Sequence, residues 1–223
     1  MRTPKISIII PSRKRPEQLN RVISELQPVL SKEVELLIGI DEDDHSYEIE
    51  SIQSIEGIKV VRTPATKYLS NLYNILFEYT EGTIIGYASD DISFQDTGIF
   101  NKMTEVFQKR GDILYYFSPC DDPYPKCVPD HAFVTAKSVR ALGFLALPNL
   151  EHGYIDHYMG RIYKEINHYY LDTSPSIVHL RDSLPMDETY YNKSIKTDGE
   201  GRVPDERDLV RFMEYVENYL DIH

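Results

Sequence analysis

Three short runs in this 223-residue chain carry side chains able to hold a charged small ligand: Pro11-Ser12-Arg13, Asp41-Glu42-Asp43-Asp44 and Ser89-Asp90-Asp91. Each follows an apolar run of strand length, at 5–10, 34–40 and 83–88. In an open α/β sheet, ligands sit beyond the carboxyl ends of the strands. If these strands are parallel, all three runs line one edge. Carboxylates crowded there repel and raise one another's pKa. A hard divalent cation with oxygen ligands resolves that conflict, and such a cation keeps few protein carboxylates while binding substrate phosphates. The pattern therefore points to a nucleotide or nucleotide-sugar ligand. Arg13 suits a phosphate, or neutralises the acids beside it.

Other chemistries are excluded by what the chain lacks. It has no G-x-x-x-x-G-K-[ST] loop, no G-x-G-x-x-G after the first strand and no H-E-x-x-H pair. It has no G-x-S-x-G elbow for a hydrolase nucleophile. Cys120 and Cys127 form neither a zinc-ligand spacing nor a disulfide framework, and free thiols in a cytosolic protein are expected.

The elements that must position these residues follow from hydrophobic periodicity. Residues 5–10 read as a buried strand that Pro11 ends, and Pro16 suits the first position of a helix with Leu19, Val22, Ile23, Leu26 and Leu30 on one face. Further strands are expected at 34–40, 58–61, 83–88, 113–117, 131–135 and 176–180. A short helix is expected near 45–54, and another carries Leu69, Leu72, Tyr73 and Leu76, with Gly82 as its C-terminal cap. Asp96 suits the start of a helix through Ile99, Met103, Val106 and Phe107 that Gly111 closes. Helices are also expected at 138–142, 153–165 and 205–220, and a polar loop or lid at 183–202. Strands alternating with helices at this spacing imply an α/β fold, a mainly parallel sheet with helices on both faces.

Composition bounds the partners. There are 36 acidic against 24 basic residues, a net charge of −12, which argues against nucleic acid as a general partner. Hydrophobic residues at 41% and charged residues at 27% suit a soluble globular domain. No apolar run approaches the ~20 residues of a membrane helix. The N-terminus leads straight into a strand and does not read as a signal peptide.

The order of these segments resembles the family 2-type glycosyltransferases of the GT-A (Rossmann-like) fold. The resemblance covers roughly residues 4–195 and rests on order and spacing, since no single motif is specific. It lies in residues 6–13 followed by Pro16 and a helix, in 37–41, and in "EGTIIGYASDDISF", which is similar to the strand entering that family's metal-binding D-x-D region. Asn74 matches the asparagine of the preceding helix. "YIDHYMGRIYKE" and "SIVHLRDSLPMDETYYNK" resemble the acceptor-side helix with its catalytic carboxylate and the following histidine strand. The compact form is closest to small phage and bacterial members, and a cytoplasmic location is expected. Two departures stand out: Ser89 occupies the first D-x-D position, and the acceptor-side motif reads I-D-H rather than E-D.

The resemblance implies a metal-dependent, inverting transfer of a sugar from a nucleotide-diphosphate sugar, a UDP-sugar on family precedent, to a hydroxyl acceptor. Asp91 and His179 would hold a divalent metal, Mn²⁺ or Mg²⁺, with His168 a weaker alternative to His179. Pro11, Ser12 and Arg13 would wrap the nucleotide, Asp41 would hold its base or ribose, Asp90 would face the ribose or sugar, and Lys67 would reach the diphosphate. Asp156 would be the general base, with Glu151 in reserve, and Tyr154, Tyr158, Tyr190 and Tyr191 are candidates to stack on acceptor sugars. Asp43 and Asp44 read as solvated charge. The implied organisation is a nucleotide-sugar half at 1–118, an acceptor half of the same domain at 119–203 and a C-terminal helix at 204–223. Each residue also has a plainer role open to it, as a helix cap, a solvated acid, a surface lysine or a core histidine. Two other functions stay open. A nucleotidyltransferase would need a Gly-rich loop after the first strand, and "PSRKRPEQ" has no glycine. A non-catalytic nucleotide-sugar-binding domain fits Ser89 in the metal motif.

Overall fold

A computed structural model of the chain describes residues 5–31, 33–110, 115–117, 131–150, 155–165, 167–171 and 177–180, with 210 and 214 in helical conformation. For residues 115–117, 156, 157, 161, 165, 171 and 179 it describes the backbone alone. Both cysteines, Glu151, Tyr154, the 183–202 loop, both domain boundaries and nearly all of the C-terminal helix lie outside the described residues.

The elements run β1 (Ile6–Ser12), α1 (Pro16–Leu26), β2 (Val34–Asp41), α2 (Ile49–Gln53), β3 (Ile58–Thr63), α3 (Leu69–Phe77), β4 (Ile84–Tyr87), β5 (Ile92–Phe94) and α4 (Ile99–Arg110). They continue with β6 (Tyr115–Phe117), β7 (Ala132–Thr135), α5 (Ala136–Leu142), α6 (Ile155–Glu165), β8 (Tyr169–Leu171) and β9 (Ile177–His179). The seven-stranded sheet has the order β3-β2-β1-β4-β7-β6-β8. Within it only β7 runs against the rest, antiparallel to both β4 and β6. A separate antiparallel pair, β5 with β9, was not foreseen in the sequence, and neither was β8.

Side chains alternate between two cores, one on each face of the sheet. Ile6, Ile8 and Ile10 of β1 pack with Leu19, Val22, Ile23 and Leu26 of α1. Ile9 faces the other way, toward Tyr73 and Leu76 of α3 and Met159 and Ile162 of α6. Burying each such side chain contributes ~1.5–3 kcal/mol, so both faces oppose a register slip that would carry Ser12 off the edge. Pro16 takes the first position of α1, as expected. Leu30 lies beyond the end of that helix, partly buried against the core.

Gly82 is not a helix cap. The residue after α3 is Glu78, in right-handed conformation. A Cβ on Gly82 would stand 2.6 Å from the Ser7 amide nitrogen, so the glycine is there for close approach to β1. The left-handed cap belongs to α5, where Gly143 has φ 90°.

Strands β1, β2 and β3 are laid down in one direction across the sheet, and β4 then joins β1 on its other side. The strand order therefore reverses between β1 and β4. A crevice at such a reversal, outside the carboxyl ends, is where open α/β sheets bind ligands.

Candidate active site

Register brings the three polar runs to that crevice. Ser12 pairs with Ile40, and Asp41 with Thr63, so the ends of β1, β2 and β3 lie side by side. The Ala88 amide donates to the Ile9 carbonyl at 3.0 Å and extends the β1–β4 pairing one residue further.

Ser12 is buried and donates to Asp90 Oδ2 at 2.6 Å. Its oxygen lies 2.8 Å from the Tyr47 hydroxyl, which also accepts from the Arg15 amide at 2.9 Å. A hydroxyl has one proton to give, so Tyr47 donates to Ser12 and Ser12 to Asp90. Arg15 Nη1 donates to Asp90 Oδ1 at 3.0 Å. Asp90, expected to face the ribose or the sugar, is only 3% exposed, and these two bonds engage both of its oxygens. Burial pushes its carboxyl above the ordinary aspartate value, against the opposing pull of Ser12 and Arg15.

Arg13 is exposed and grips two acids at the end of β2. It pairs with the buried Asp41 and forks onto both oxygens of Asp43 at 2.8 Å each. Those hydrogen bonds, Asp43 first, hold its guanidinium even more firmly protonated than usual, and Arg13 in turn holds the exposed Asp43 carboxyl below its ordinary range. Asp41 also accepts from Thr63 Oγ1 at 3.2 Å.

Asp44 corrects the expectation of solvated charge, being 3% exposed. It accepts from the Lys14 amide at 2.6 Å and from the Ser46 amide and hydroxyl at 3.0 and 2.7 Å. Burial pushes its carboxyl up, yet these bonds outweigh burial and hold it below the usual range. The bond to Lys14 supports a left-handed backbone, φ 54°, at a residue type that seldom adopts it. Arg62 Nη1 closes the turn on the carbonyls of Asp41 and Asp44, at 2.9 and 2.7 Å. Arg13 therefore answers the Asp41 and Asp43 carboxylates, while backbone amides and the Ser46 hydroxyl answer Asp44.

Asp91 is half-buried, and Ser89 donates to its Oδ1. The Leu180 amide donates to the Asp91 carbonyl at 2.8 Å, and β9 pairs Ile92 with His179. The backbone at residue 179 thus lies across from the residue that follows Asp91. Asp156 is the second residue of α6. Its helix is anchored by Ile155, Tyr158, Met159, Ile162 and Tyr163, all buried. Tyr158 is therefore core rather than a free stacking surface. The approach to α6 is stapled to α3. Asn74 Oδ1 accepts from the Leu145 and Ala146 amides at 2.8 and 2.9 Å, and its Nδ2 donates to the Ala146 carbonyl at 2.7 Å. Ser70 and Asn71 do the same for Leu150 and Asn149. Pro11 sits half-buried in β1 opposite Gly39. Lys67 is exposed just before α3, its Nζ 4.8 Å from the centre of the Tyr68 ring.

A cavity of about 190 Å³ lies between α3 and α5, lined by Asn74, Phe77, Glu78, Val139, Arg140 and Phe144 among others. It is near the far end of α3, away from the strand ends, and its charged residues are exposed.

Among the described residues no three His, Cys, Asp or Glu side chains group to hold a metal ion. A cation carried by one or two carboxylates together with ligand phosphates requires no such group. Asp91, at a strand end beside the crevice, is an oxygen donor of the right kind.

The chain has the GT-A fold of the glycosyltransferases to which it is structurally similar. It is similar to S. aureus TarS residues 1–349, with a TM-score of 0.64 at 11% identity over 78% of this chain and 60% of that one. It is similar to the mannosyltransferase PcManGT from Pyrobaculum calidifontis, solved with GDP-Man and Mn²⁺ (TM-score 0.61, 10% identity, 95% of this chain and 69% of that one). Glucosyl-3-phosphoglycerate synthase from Mycobacterium tuberculosis, in complex with Mn²⁺, UDP and phosphoglyceric acid, gives a TM-score of 0.60 at 13% identity over 79% and 69%. The chain thus spans 60% of the TarS 1–349 length. No protein-family model matches it. No curated protein matches it. No helix among the described residues is long and apolar enough to cross a membrane.

Proposed function

We propose that this chain is a glycosyltransferase that moves a sugar from a nucleotide-diphosphate donor, a UDP-sugar, to a hydroxyl acceptor with inversion at the anomeric carbon. The observation that supports this reading is the buried Ser12–Asp90 hydrogen bond at the β1–β4 reversal of a GT-A fold, beside the end of β2 that carries Asp41. Its support from the neighbours is that PcManGT and the M. tuberculosis synthase were solved with nucleotides or nucleotide sugars and Mn²⁺.

Asp41 holds the base or ribose of the donor. Ser12 and the Pro11–Arg13 turn wrap the nucleotide, and Arg13, released from Asp43, turns its fork to the diphosphate, with Lys67 as a second cation. Asp90 acts on the donor through Ser12 and Arg15. A divalent ion, Mn²⁺ or Mg²⁺, would be held by Asp91 and His179. When bound it would neutralise the charge growing on the departing nucleoside diphosphate. Asp156 accepts the proton of the acceptor hydroxyl as that oxygen attacks the anomeric carbon. The carbon–oxygen bond to the diphosphate breaks on the opposite face, through an oxocarbenium-like transition state. A positioned base of this sort contributes ~10²–10⁴ in rate.

A second reading, a nucleotide-sugar-binding domain without turnover, is favoured by one feature. Ser89 stands at the first D-x-D position and donates to Asp91 where a second carboxylate would be expected. A panel of nucleotide sugars, each with and without Mn²⁺, separates the two. Metal-dependent release of nucleoside diphosphate supports the enzyme, and saturable binding with no release supports the domain. Asp156→Asn should bind donor normally and lose transfer, and unchanged transfer would remove Asp156 from its role.

A further inference from the structure

The turn that carries Asp91 is held from outside by α1. Arg21 Nη2 donates to the Asp90 carbonyl and to the Ile92 carbonyl, each at 2.9 Å. One nitrogen, through its two hydrogens, therefore spans the residues on either side of Asp91. The carbonyl between them, that of Asp91, accepts from the Leu180 amide at 2.8 Å. One turn further along α1, Glu25 accepts from the Phe94 amide at 2.8 Å and from Ser93 Oγ at 3.0 Å. Arg21 and Glu25 stand one turn apart on α1, at the i,i+4 spacing of an ion pair. Their closest approach is 3.9 Å, at the limit of an ion pair, and both are less than a third exposed. Their shorter hydrogen bonds all go to the 90–94 segment.

We infer that Arg21 is a positioning residue for Asp91: by clamping the carbonyls on both sides, it sets the backbone at Asp91 and so the direction in which the carboxylate leaves the chain. The inference rests on the functional reading above, in which Asp91 receives a cation. A carboxylate aimed in advance binds a cation without first ordering its own turn. Groups that orient a metal-binding side chain typically change metal affinity by about 10–100-fold when lost.

The test is Mn²⁺ affinity in the presence of UDP, read from the electron paramagnetic resonance signal of free Mn²⁺, beside UDP binding without metal. Arg21→Met removes both hydrogen bonds while keeping an apolar stem. It should weaken Mn²⁺ about 10–100-fold and leave metal-free UDP binding unchanged. Arg21→Lys, which keeps one charged donor without the planar fork, should fall between Arg21→Met and wild type. Ser7→Ala, which removes buried hydrogen bonds at the opposite end of the sheet, controls for general loosening and should leave Mn²⁺ affinity alone. If wild type binds Mn²⁺ with UDP and Arg21→Met binds it equally well, the inference is overturned and the functional reading stands. If Arg21→Met does not fold, Arg21→Lys decides, and wild-type Mn²⁺ affinity in it overturns the inference. Failure of wild type itself to bind Mn²⁺ with UDP overturns both.

Discussion

Replacing Asn74 with alanine removes three hydrogen bonds at once, two to the Leu145 and Ala146 amides and one to the Ala146 carbonyl. Leu145 and Ala146 are 0 and 1% exposed, so water is poorly placed to substitute. At a net ~1 kcal/mol per bond the loss is ~3 kcal/mol. For a chain of this length that corresponds to a fall in Tm of roughly 6–12 °C. Asn74→Asp should lose less, about 1–2 kcal/mol, because a carboxylate still accepts from both amides but no longer donates to the carbonyl. The assay is thermal and urea unfolding of the three proteins side by side. The segment leads to α6 and Asp156, and the Asn74 bonds go to it and not to Ser12, Arg13 or Asp41, so Asn74→Ala should bind UDP like wild type while any transfer falls. Unfolding of Asn74→Ala within 1–2 °C of wild type, an allowance of under about 1 kcal/mol, would show that the three Asn74 bonds do not hold the 145–146 segment.

Other consequences follow from the same geometry. Gly82→Ala should destabilise by about 1–3 kcal/mol, because its Cβ would meet the Ser7 amide nitrogen at 2.6 Å and the Ile84 carbonyl at 2.9 Å, neither of which can swing aside; a neutral effect in urea unfolding would contradict the close-approach account. Arg13 lowers the Asp43 carboxyl, so its folded-state stabilisation is present above the ordinary aspartate value of 3.8 and is lost as pH falls through the lowered value. In Arg13→Ala, carboxyl NMR titration should return Asp43 to the ordinary range. Asp90 has the opposite sign. Its raised folded value makes its contribution complete below 3.8 and progressively lost as pH rises through the raised value. Arg15→Met should raise the Asp90 midpoint further, and a midpoint that stays put would show that Arg15 does not stabilise the carboxylate.

How far the sequence carried can be seen residue by residue. Strand β1 was legible because Ile8, Ile9 and Ile10 are buried on both faces, which writes a continuous apolar run. The strand-end position of Asp91 was legible from the same logic. Strand β5 has three residues, too few for periodicity, and it exists because β9 pairs with it from far along the chain. Gly82 was misread because glycine serves both helix caps and close approaches, and only the position of β1 tells them apart. Asp44 looked like its solvated neighbours because nothing local reveals that the Lys14 amide, 30 residues earlier, ends against it. Arg15, Tyr47, Arg21 and Arg62 were missed as parts of the site for a related reason. Arg15 meets Asp90 across 75 residues and Arg21 meets it across 69. The one available signal was the basic run Arg13-Lys14-Arg15 preceding two acidic strand ends, which called for arginine partners within the crevice.

A cation and a nucleoside diphosphate should meet this chain together at Asp91. Crystals grown with UDP and Mn²⁺ and measured at the manganese absorption edge would locate both at once. The prediction is an anomalous peak in direct contact with an Asp91 carboxylate oxygen, bridged to the UDP phosphates, with the base beside Asp41. UDP seated elsewhere, or manganese bound with Asp91 turned away from it, would contradict it.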